Sequence, residues 1–418
     1  MNYDISISYI ITTIIQLIVF LIGIHYLVIS FFGLIKRKNE SMKDIEPEKS
    51  FALIVAAHNE EKVVSEVIHS LNNLNYPKEL YDVFVIADNC NDNTAAIARE
   101  AGAQVFERFN SVKRGKGYAL EWMFDKIFKM DKKYDAVGIF DADNVVSPNF
   151  LTEMNKHFCK GAKAVQGYVD TKNPYDSWIT CSYAITYWTM NRLFQLSRYY
   201  LGLSAALAGT GFCLDTKILK EMGWGATCLT EDLEFTMKLV SNNIRVEWCH
   251  DAVIYDEKPL LLKQSWVQRQ RWMQGHTDCA FRFLPKLLTK AIKERNFMAF
   301  DCALYLFQPV NILLIAVVSI ISLLVDYYPT GTFFEMRSAF SPMIWSLYLL
   351  TQYLYGPFVV AIEKKLNFKA ILGFIIYPVF FLTWIPITAQ GFLNKNRKEW
   401  SHTLHTRQIS ITELEEVK

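Results

Sequence analysis

Ala136-Val137-Gly138-Ile139-Phe140-Asp141-Ala142-Asp143 decides the fold: five apolar residues end on two carboxylates one residue apart. A short continuous apolar run reads as a buried strand, which puts both acids at its carboxyl end. Two upstream stretches have the same build. Phe51-Ala52-Leu53-Ile54-Val55-Ala56-Ala57 leads into His58-Asn59-Glu60-Glu61, which opens a helix. Val83-Phe84-Val85-Ile86-Ala87 breaks at Asp88-Asn89-Cys90-Asn91-Asp92-Asn93-Thr94, and Ala95 to Ala101 read as helix. Strand, polar break and helix in repetition predict an α/β domain on a parallel sheet. Ligands of such sheets bind beyond the carboxyl ends of the strands. One crevice can therefore hold His58-Asn59-Glu60, Asp88 and the Asp141/Asp143 pair.

Two aspartates one residue apart can place oxygens on one hard cation, and Mg²⁺ and Mn²⁺ prefer such ligands, completed by substrate phosphates. Between the acidic strand ends lies Lys113-Arg114-Gly115-Lys116-Gly117, a basic turn whose glycines allow close approach and whose Lys116 could meet phosphate. Further on, Gly209-Thr210-Gly211-Phe212 and Gly223-Trp224-Gly225 lead to Thr230-Glu231-Asp232. Asp232 reads as a general base that takes a proton from an attacking hydroxyl. Adjacent Glu231 is expected to point elsewhere and hold the loop. The alternative for this stretch is the capped start of a helix, with acids near its dipole. Gln268-Arg269-Gln270-Arg271-Trp272 then supplies guanidinium forks suited to a diphosphate and an aromatic face suited to a sugar. An interfacial helix whose arginines touch lipid phosphates is the alternative there. From Trp178 to Tyr200, apolar residues at helical spacing predict a helix on the core, with Trp188 and Tyr199 as candidates to line a sugar path.

The 418 residues are 51% hydrophobic and only 21% charged, too apolar for a wholly soluble protein. A net charge of +2 gives no field that would recruit nucleic acid. The eight cysteines show no CxxC pair and read as reduced cytosolic thiols. From Ile5 to Ile35 no Lys, Arg, Asp or Glu occurs, which exceeds the ~20 residues a bilayer crossing needs. Lys36-Arg37-Lys38 follows this run, so it is a retained anchor with the N-terminus outside and the following domain in the cytosol. After Pro259 the chain turns basic and amphipathic, as in helices of the membrane interface. Three more charge-free runs follow, about Cys302 to Val325, Ser338 to Ile362 and Ala370 to Leu393. Three full crossings would put Lys395, Arg397 and Lys398 outside, against the charge rule. Pro378 and Pro386 interrupt the last run, which leaves a re-entrant hairpin as the alternative. The expected division is an anchor at 1–35, a cytosolic domain at 36–258, interface helices at 259–300, membrane helices at 301–394 and a tail at 395–418.

In this order, Asp88, Asp141-Ala142-Asp143, Thr230-Glu231-Asp232 and Gln268-Arg269-Gln270-Arg271-Trp272 resemble membrane-embedded family 2 glycosyltransferases, the processive cellulose, hyaluronan and poly-N-acetylglucosamine synthases. The resemblance covers about Ser50 to Gly275. It implies a GT-A (Rossmann-like) domain inserted between transmembrane helices, a UDP-sugar donor, Mg²⁺ or Mn²⁺ as cofactor, and inversion to a β-linkage at the cytoplasmic membrane. Carried over, Ala57, Asn59, Glu60, Asp88, Lys116, Asp141 and Arg271 would bind the donor, and Asp143 with Asp141 the metal. Asp232 would be the base, with Gly209, Thr210, Gly211, Gln268 and Trp272 at the acceptor. The implied partners are the UDP-sugar, a growing glycan or lipid acceptor, membrane lipids and accessory subunits of an export complex. A non-processive enzyme making a membrane glycolipid is the nearest alternative. Many relatives carry two aspartates at the second strand end, whereas Ala87 precedes Asp88 here. Trp400 and Arg407 echo a tail seen in some relatives.

Overall fold

A computed structural model describes residues 6–35, 45–225, 228–329, 331–339, 341–396, 405 and 407–416. The chain starts with α1 (Ile7–Leu34), whose side chains from Ile7 to Phe31 are widely exposed and apolar. An α/β domain follows: β1 (Phe51–Ala57), α2 (Val64–Asn72), β2 (Tyr81–Asp88), α3 (Thr94–Glu100), β3 (Gln104–Arg108), α4 (Lys116–Ile127), β4 (Ala136–Asp141), β5 (Val145–Val146) and α5 (Phe150–Cys159). It continues through β6 (Ala164–Thr171), α6 (Trp178–Met190), a π-helical stretch Asn191–Leu196, α7 (Ser197–Tyr200), β7 (Phe212–Asp215), α8 (Thr216–Met222), α9 (Glu231–Ser241) and β8 (Glu247–Asp256). Then come α10 (Leu262–Lys293), α11 (Phe297–Leu306), α12 (Gln308–Leu324), α13 (Pro342–Ile362), α14 (Phe368–Leu382), α15 (Trp384–Leu393) and α16 (Ile411–Glu416).

The eight strands form one sheet in the order β3-β2-β1-β4-β7-β6-β8-β5. β1 runs parallel to β2 and β4, with Ala57 opposite Ala87 and Ala56 opposite Asp141. Phe51 to Val55 are fully buried because helices cover both faces, which explains the unbroken apolar run. The expected all-parallel sheet is instead mixed: β7 runs antiparallel between β4 and β6, and β5 antiparallel to β8. Since β6 and β8 point the same way as β1, β2 and β4, their carboxyl ends share one rim. Asp88, Asp141, Thr171 and Asp256 close their strands along it. The turns after β1 and β2 put Asn59 and Asn89 at φ 56° and 52°, a region asparagine tolerates better than most residues. The helix expected from His58 begins six residues later, at Val64.

Three helical segments, Ile7–Leu34, Gln308–Tyr327 and Phe368–Leu393, are long and apolar enough to cross a membrane. The last of them, like α1, packs closely on the rest of the molecule. At its start Asn367 donates to the Tyr175 hydroxyl at 2.7 Å, and near its end Gln390 accepts from the Trp266 indole at 2.8 Å. Between these, an added Cβ at Gly373 would meet Cys181 Sγ, and one at Gly391 would sit 2.5 Å from Met273 Cβ. Arg269 donates to Thr383 Oγ1 at 2.8 Å, where α14 gives way to α15. This segment therefore lies along α6 and α10 for its whole length. Glu363 and Lys365, at the end of α13, bond Tyr168 and Asp170 of the α/β domain. Lys36-Arg37-Lys38, which set the expected orientation, lie outside the described residues, as do Arg397 and Lys398.

Candidate active site

Lys116, at the start of α4, places its ammonium 2.5 Å from Asp141 Oδ1 and 2.6 Å from the Gly209 carbonyl. Gly115, at φ 108°, makes the turn that lets α4 begin there. Burial alone would lower the Lys116 pKa, but Asp141, Glu231 and Asp232 together raise it. The ammonium thus ties the β4 end to the glycine loop. Thr210 Oγ1 donates to Asn144 Oδ1, and both receive the Asp141 N–H at 3.1 Å. Gly211 (φ 63°) leaves no room for a side chain, since an added Cβ would stand 2.7 Å from Ile254.

At the β2 end, the Asp88 carboxylate is held by Arg108 at 2.5 Å, and its carbonyl meets His58 Nδ1 at 2.7 Å. Arg108 also donates to the Lys113 carbonyl at 2.6 Å, which braces the basic turn. Asn59 Oδ1 accepts from the Asn91 N–H at 2.9 Å, and the Ala57 carbonyl faces Cys90 Sγ at 3.6 Å. Ala57 and Asn59 therefore shape the rim through backbone and amide contacts.

Asp143 is almost wholly buried and accepts from Asn144 Nδ2 and from the Glu257 N–H, each at 3.2 Å. Burial pushes its pKa up to about 7; Asp256 and Asp141 add to this while His405 and Lys172 oppose it. His405 Nε2 lies 3.8 Å from Asp143, and its Nδ1 lies 3.0 Å from Glu60. Burial works against charge on His405, yet Asp143, Glu60 and Glu257 raise its pKa to about 10. The segment after it is fastened as well. The Arg407 N–H donates to Glu257 at 3.0 Å and its guanidinium pairs with Asp176, while Ile409, Ile411 and Leu414 pack on Val145 and Tyr255. Trp400 lies outside the described residues.

Asp232 stands in the first turn of α9, with Oδ2 3.4 Å from where a Cβ on Gly209 (φ 80°) would be. Its Oδ1 accepts the Leu233 N–H at 2.8 Å. Burial first, and then the Glu231 charge, push its pKa up to about 7. Glu231, expected to point away, has its pKa raised by burial while Lys116 and Arg271 oppose and Asp141 adds. It therefore faces the same group of charges. Thr230 makes no side-chain cap to α9, but Glu231, Asp232 and Glu234 do stand in its first turn, near the dipole, as the helix-start alternative expects. Thr230 rests directly on Gly275 of α10, where an added Cβ would come within 2.4 Å of Thr230 Oγ1. On α10, Gln268 Oε1 accepts the Tyr183 hydroxyl at 2.9 Å, half-buried Arg271 has an Nε without a partner among the described residues, and the Trp272 ring meets Tyr183 edge-on at 6.1 Å.

Ala57, Asn59, Glu60, Asp88, Lys116, Asp141 and Asp143 thus line one rim, with Gly209, Thr210, Gly211, Asp232 and α10 opposite. Trp188 is in the core, its indole donating to Asp170 at 2.8 Å, and partly buried Tyr199 lies tilted against Tyr200 and His157. The core reading of that helix holds for both. Sequence reasoning missed Asn144, Arg108, Glu257 and His405. Asn144 directly follows the acid pair and so had a positional signal.

A family profile described as "Glycosyltransferase like family 2" matches residues 47–275. The chain belongs to that family. It is 26% identical over 299 residues to "Probable glycosyltransferase YdaM" of Bacillus subtilis, covering 68% of this chain and 66% of that one. To the beta-monoglucosyldiacylglycerol synthase of Synechocystis it is 26% identical, covering 55% and 48%. To the poly-beta-1,6-N-acetyl-D-glucosamine synthase of Staphylococcus epidermidis it is 25% identical, covering 84% and 82%. The chain spans from about half to just under two thirds of the first curated relatives it matches. In structure it is similar to the mannosyltransferase PcManGT from Pyrobaculum calidifontis, with a TM-score of 0.61 at 15% identity, covering 92% of this chain and 98% of that one. The fold is thus GT-A-like, on a multi-pass membrane protein.

Proposed function

We propose that this protein is an inverting glycosyltransferase that moves a hexose or N-acetylhexosamine from a UDP-sugar onto a growing β-linked polysaccharide at the cytoplasmic membrane. The carrying observation is the place of Asp232, a half-buried carboxylate in the first turn of α9, set against the Gly209 loop whose carbonyl holds Lys116, with its pKa pushed up to about 7. One such base suffices for a single displacement at the anomeric carbon, because it takes the proton of the attacking hydroxyl. Retention by double displacement would need a carboxylate nucleophile at that carbon, a role nothing here requires. Lys116 and Arg271 would bind the diphosphate, and their charges would balance the negative charge that grows on the leaving group. The Asp88 and Asn59 ends would hold the nucleoside, and Gln268 and Trp272 the acceptor.

Asp143 and Asp141 offer the hard oxygen donors a divalent cation takes, although among the described residues no three potential ligands gather into a metal-like group and Lys116 and His405 face the two carboxylates. Asp143 and Asp141 would hold Mg²⁺ or Mn²⁺, which when bound neutralises diphosphate charge. In this reading residues 36–258 form the catalytic domain and 259–300 present the acceptor motif.

A polymer product is favoured over a glycolipid because the likeness to the poly-N-acetylglucosamine synthase extends over most of both chains, whereas that to the glycolipid synthase covers about half. Sizing the products made from a panel of UDP-sugars tests this. Long chains that shorten or vanish in Trp272→Ala are expected. A wild-type product that is only a monoglycosylated lipid at every donor concentration would replace this reading.

A further inference from the structure

Tyr187, on α6, is an aromatic residue that the mechanism above does not use. Its neighbours on α6, Ala184, Ile185 and Trp188, are buried in the core, whereas Tyr187 is half-buried. Lys258 Nζ sits 3.5 Å from its ring centroid, and Asp256 holds that ammonium at 2.7 Å. The ring packs on two apolar groups at once. One also receives Ala208, the neighbour of Gly209; the other, around Tyr183 and Phe380, also receives Trp272. Tyr187 therefore stands between the core of the α/β domain and the small Tyr183–Phe380 cluster on which Trp272 of the acceptor motif also packs. The charges agree with this placement. Burial pushes the Tyr187 hydroxyl up, Lys258 opposes, and Asp256 and Asp232 both add to the rise.

We propose that Tyr187 is a further acceptor-contacting residue, whose ring forms with Trp272 an apolar seat for the terminal acceptor sugar. Lys258, locked by Asp256, is the positioning residue that fixes that ring. The apolar C–H face of a sugar suits such a surface, and a fixed ring loses little freedom on binding. This inference rests on Asp232 being the base, because the hydroxyl it deprotonates belongs to the sugar seated there.

The test separates transfer from donor hydrolysis, in which water replaces the acceptor. Membranes containing the full chain are given a labelled UDP-sugar and Mn²⁺. Incorporation into product, release of free sugar, and UDP binding are measured together. Tyr187→Ala and the bulkier Tyr187→Leu should lower the ratio of transfer to hydrolysis roughly tenfold, at unchanged UDP binding, while Tyr187→Phe stays near wild type. Lys258→Met should lower the ratio less, and add little on top of Tyr187→Ala, because the two act on one ring. Wild-type ratios in Tyr187→Ala and Tyr187→Leu would overturn the assignment, as would Tyr187→Phe failing as badly as Tyr187→Ala. Loss of UDP binding or hydrolysis in step with transfer in both would also overturn it. A wild-type protein that transfers from no UDP-sugar would instead remove the function reading, and this assignment with it.

Discussion

Asp232 must be both buried and ionised to work as a base, and its surroundings set the pH at which that happens. Burial and Glu231 hold its pKa near 7, so the protonated, inactive form grows as pH falls below that value. The transfer rate should therefore rise through about pH 7 and level off above it, which a pH–rate profile of kcat/KM checks. A rate flat from pH 5.5 to 8 would contradict the assignment. Glu231→Gln should cost less than loss of Asp232, since Glu231 acts through its charge on Lys116 and Arg271. At Asp143, replacement by Asn should weaken Mn²⁺-supported UDP binding, measured by calorimetry, and excess chelator should stop transfer; full turnover in chelator would contradict the metal assignment. The acids were legible because each ends an apolar run or follows a glycine loop. Arg108 and Glu257 were not, because their roles depend on which strand ends become neighbours. His405 lies more than 250 residues from its partners Asp143 and Glu60, a distance that no local pattern spans.

Among the elements, α10 braces the start of α9, where the proposed base stands, because Gly275 lets Thr230 lie against the helix backbone. An alanine there brings Cβ within 2.4 Å of Thr230 Oγ1 and 2.8 Å of its N. Overpacking of this kind costs about 1–3 kcal/mol, against about 1 kcal/mol gained in helix propensity. Gly275→Ala should therefore lower both the melting temperature and the transfer rate, with UDP affinity changed less. A stabilised and fully active variant would show that the contact does not position the loop. The parallel half of the sheet was legible from strand-break-helix repetition. The antiparallel β7 and β5 were not, being four and two residues long and too short to carry a period. The basic stretch after Pro259 is largely one 32-residue helix, α10, continued by α11.

For the whole molecule, the charge pattern predicts a topology that can be tested. Crossings by α1, α12 and α13 alone, with α14–α15 held on α6 and α10, would put Lys364, Lys365 and Lys395 on the cytosolic side with the α/β domain. His405 reaches Asp143 from the same side. In intact cells a membrane-impermeant thiol reagent should label Tyr328→Cys and leave Lys395→Cys unlabelled. Labelling of Lys395→Cys from outside would show that the last segment crosses. Length and apolarity made this segment look like any other span. Its close contacts at Gly373 and Gly391, like that of α1 at Gly33, emerge only in the packed helices.

The most direct test is the initial rate of sugar transfer by Asp232→Asn beside wild type, with UDP binding measured in the same membrane preparation. Asn keeps the shape of the side chain and can still accept the Leu233 N–H, but it cannot take a proton. The account predicts a rate lower by roughly 10²–10⁴-fold, with UDP binding nearly unchanged because Lys116, Arg271 and the metal site hold the diphosphate. A near-normal rate in Asp232→Asn would contradict it.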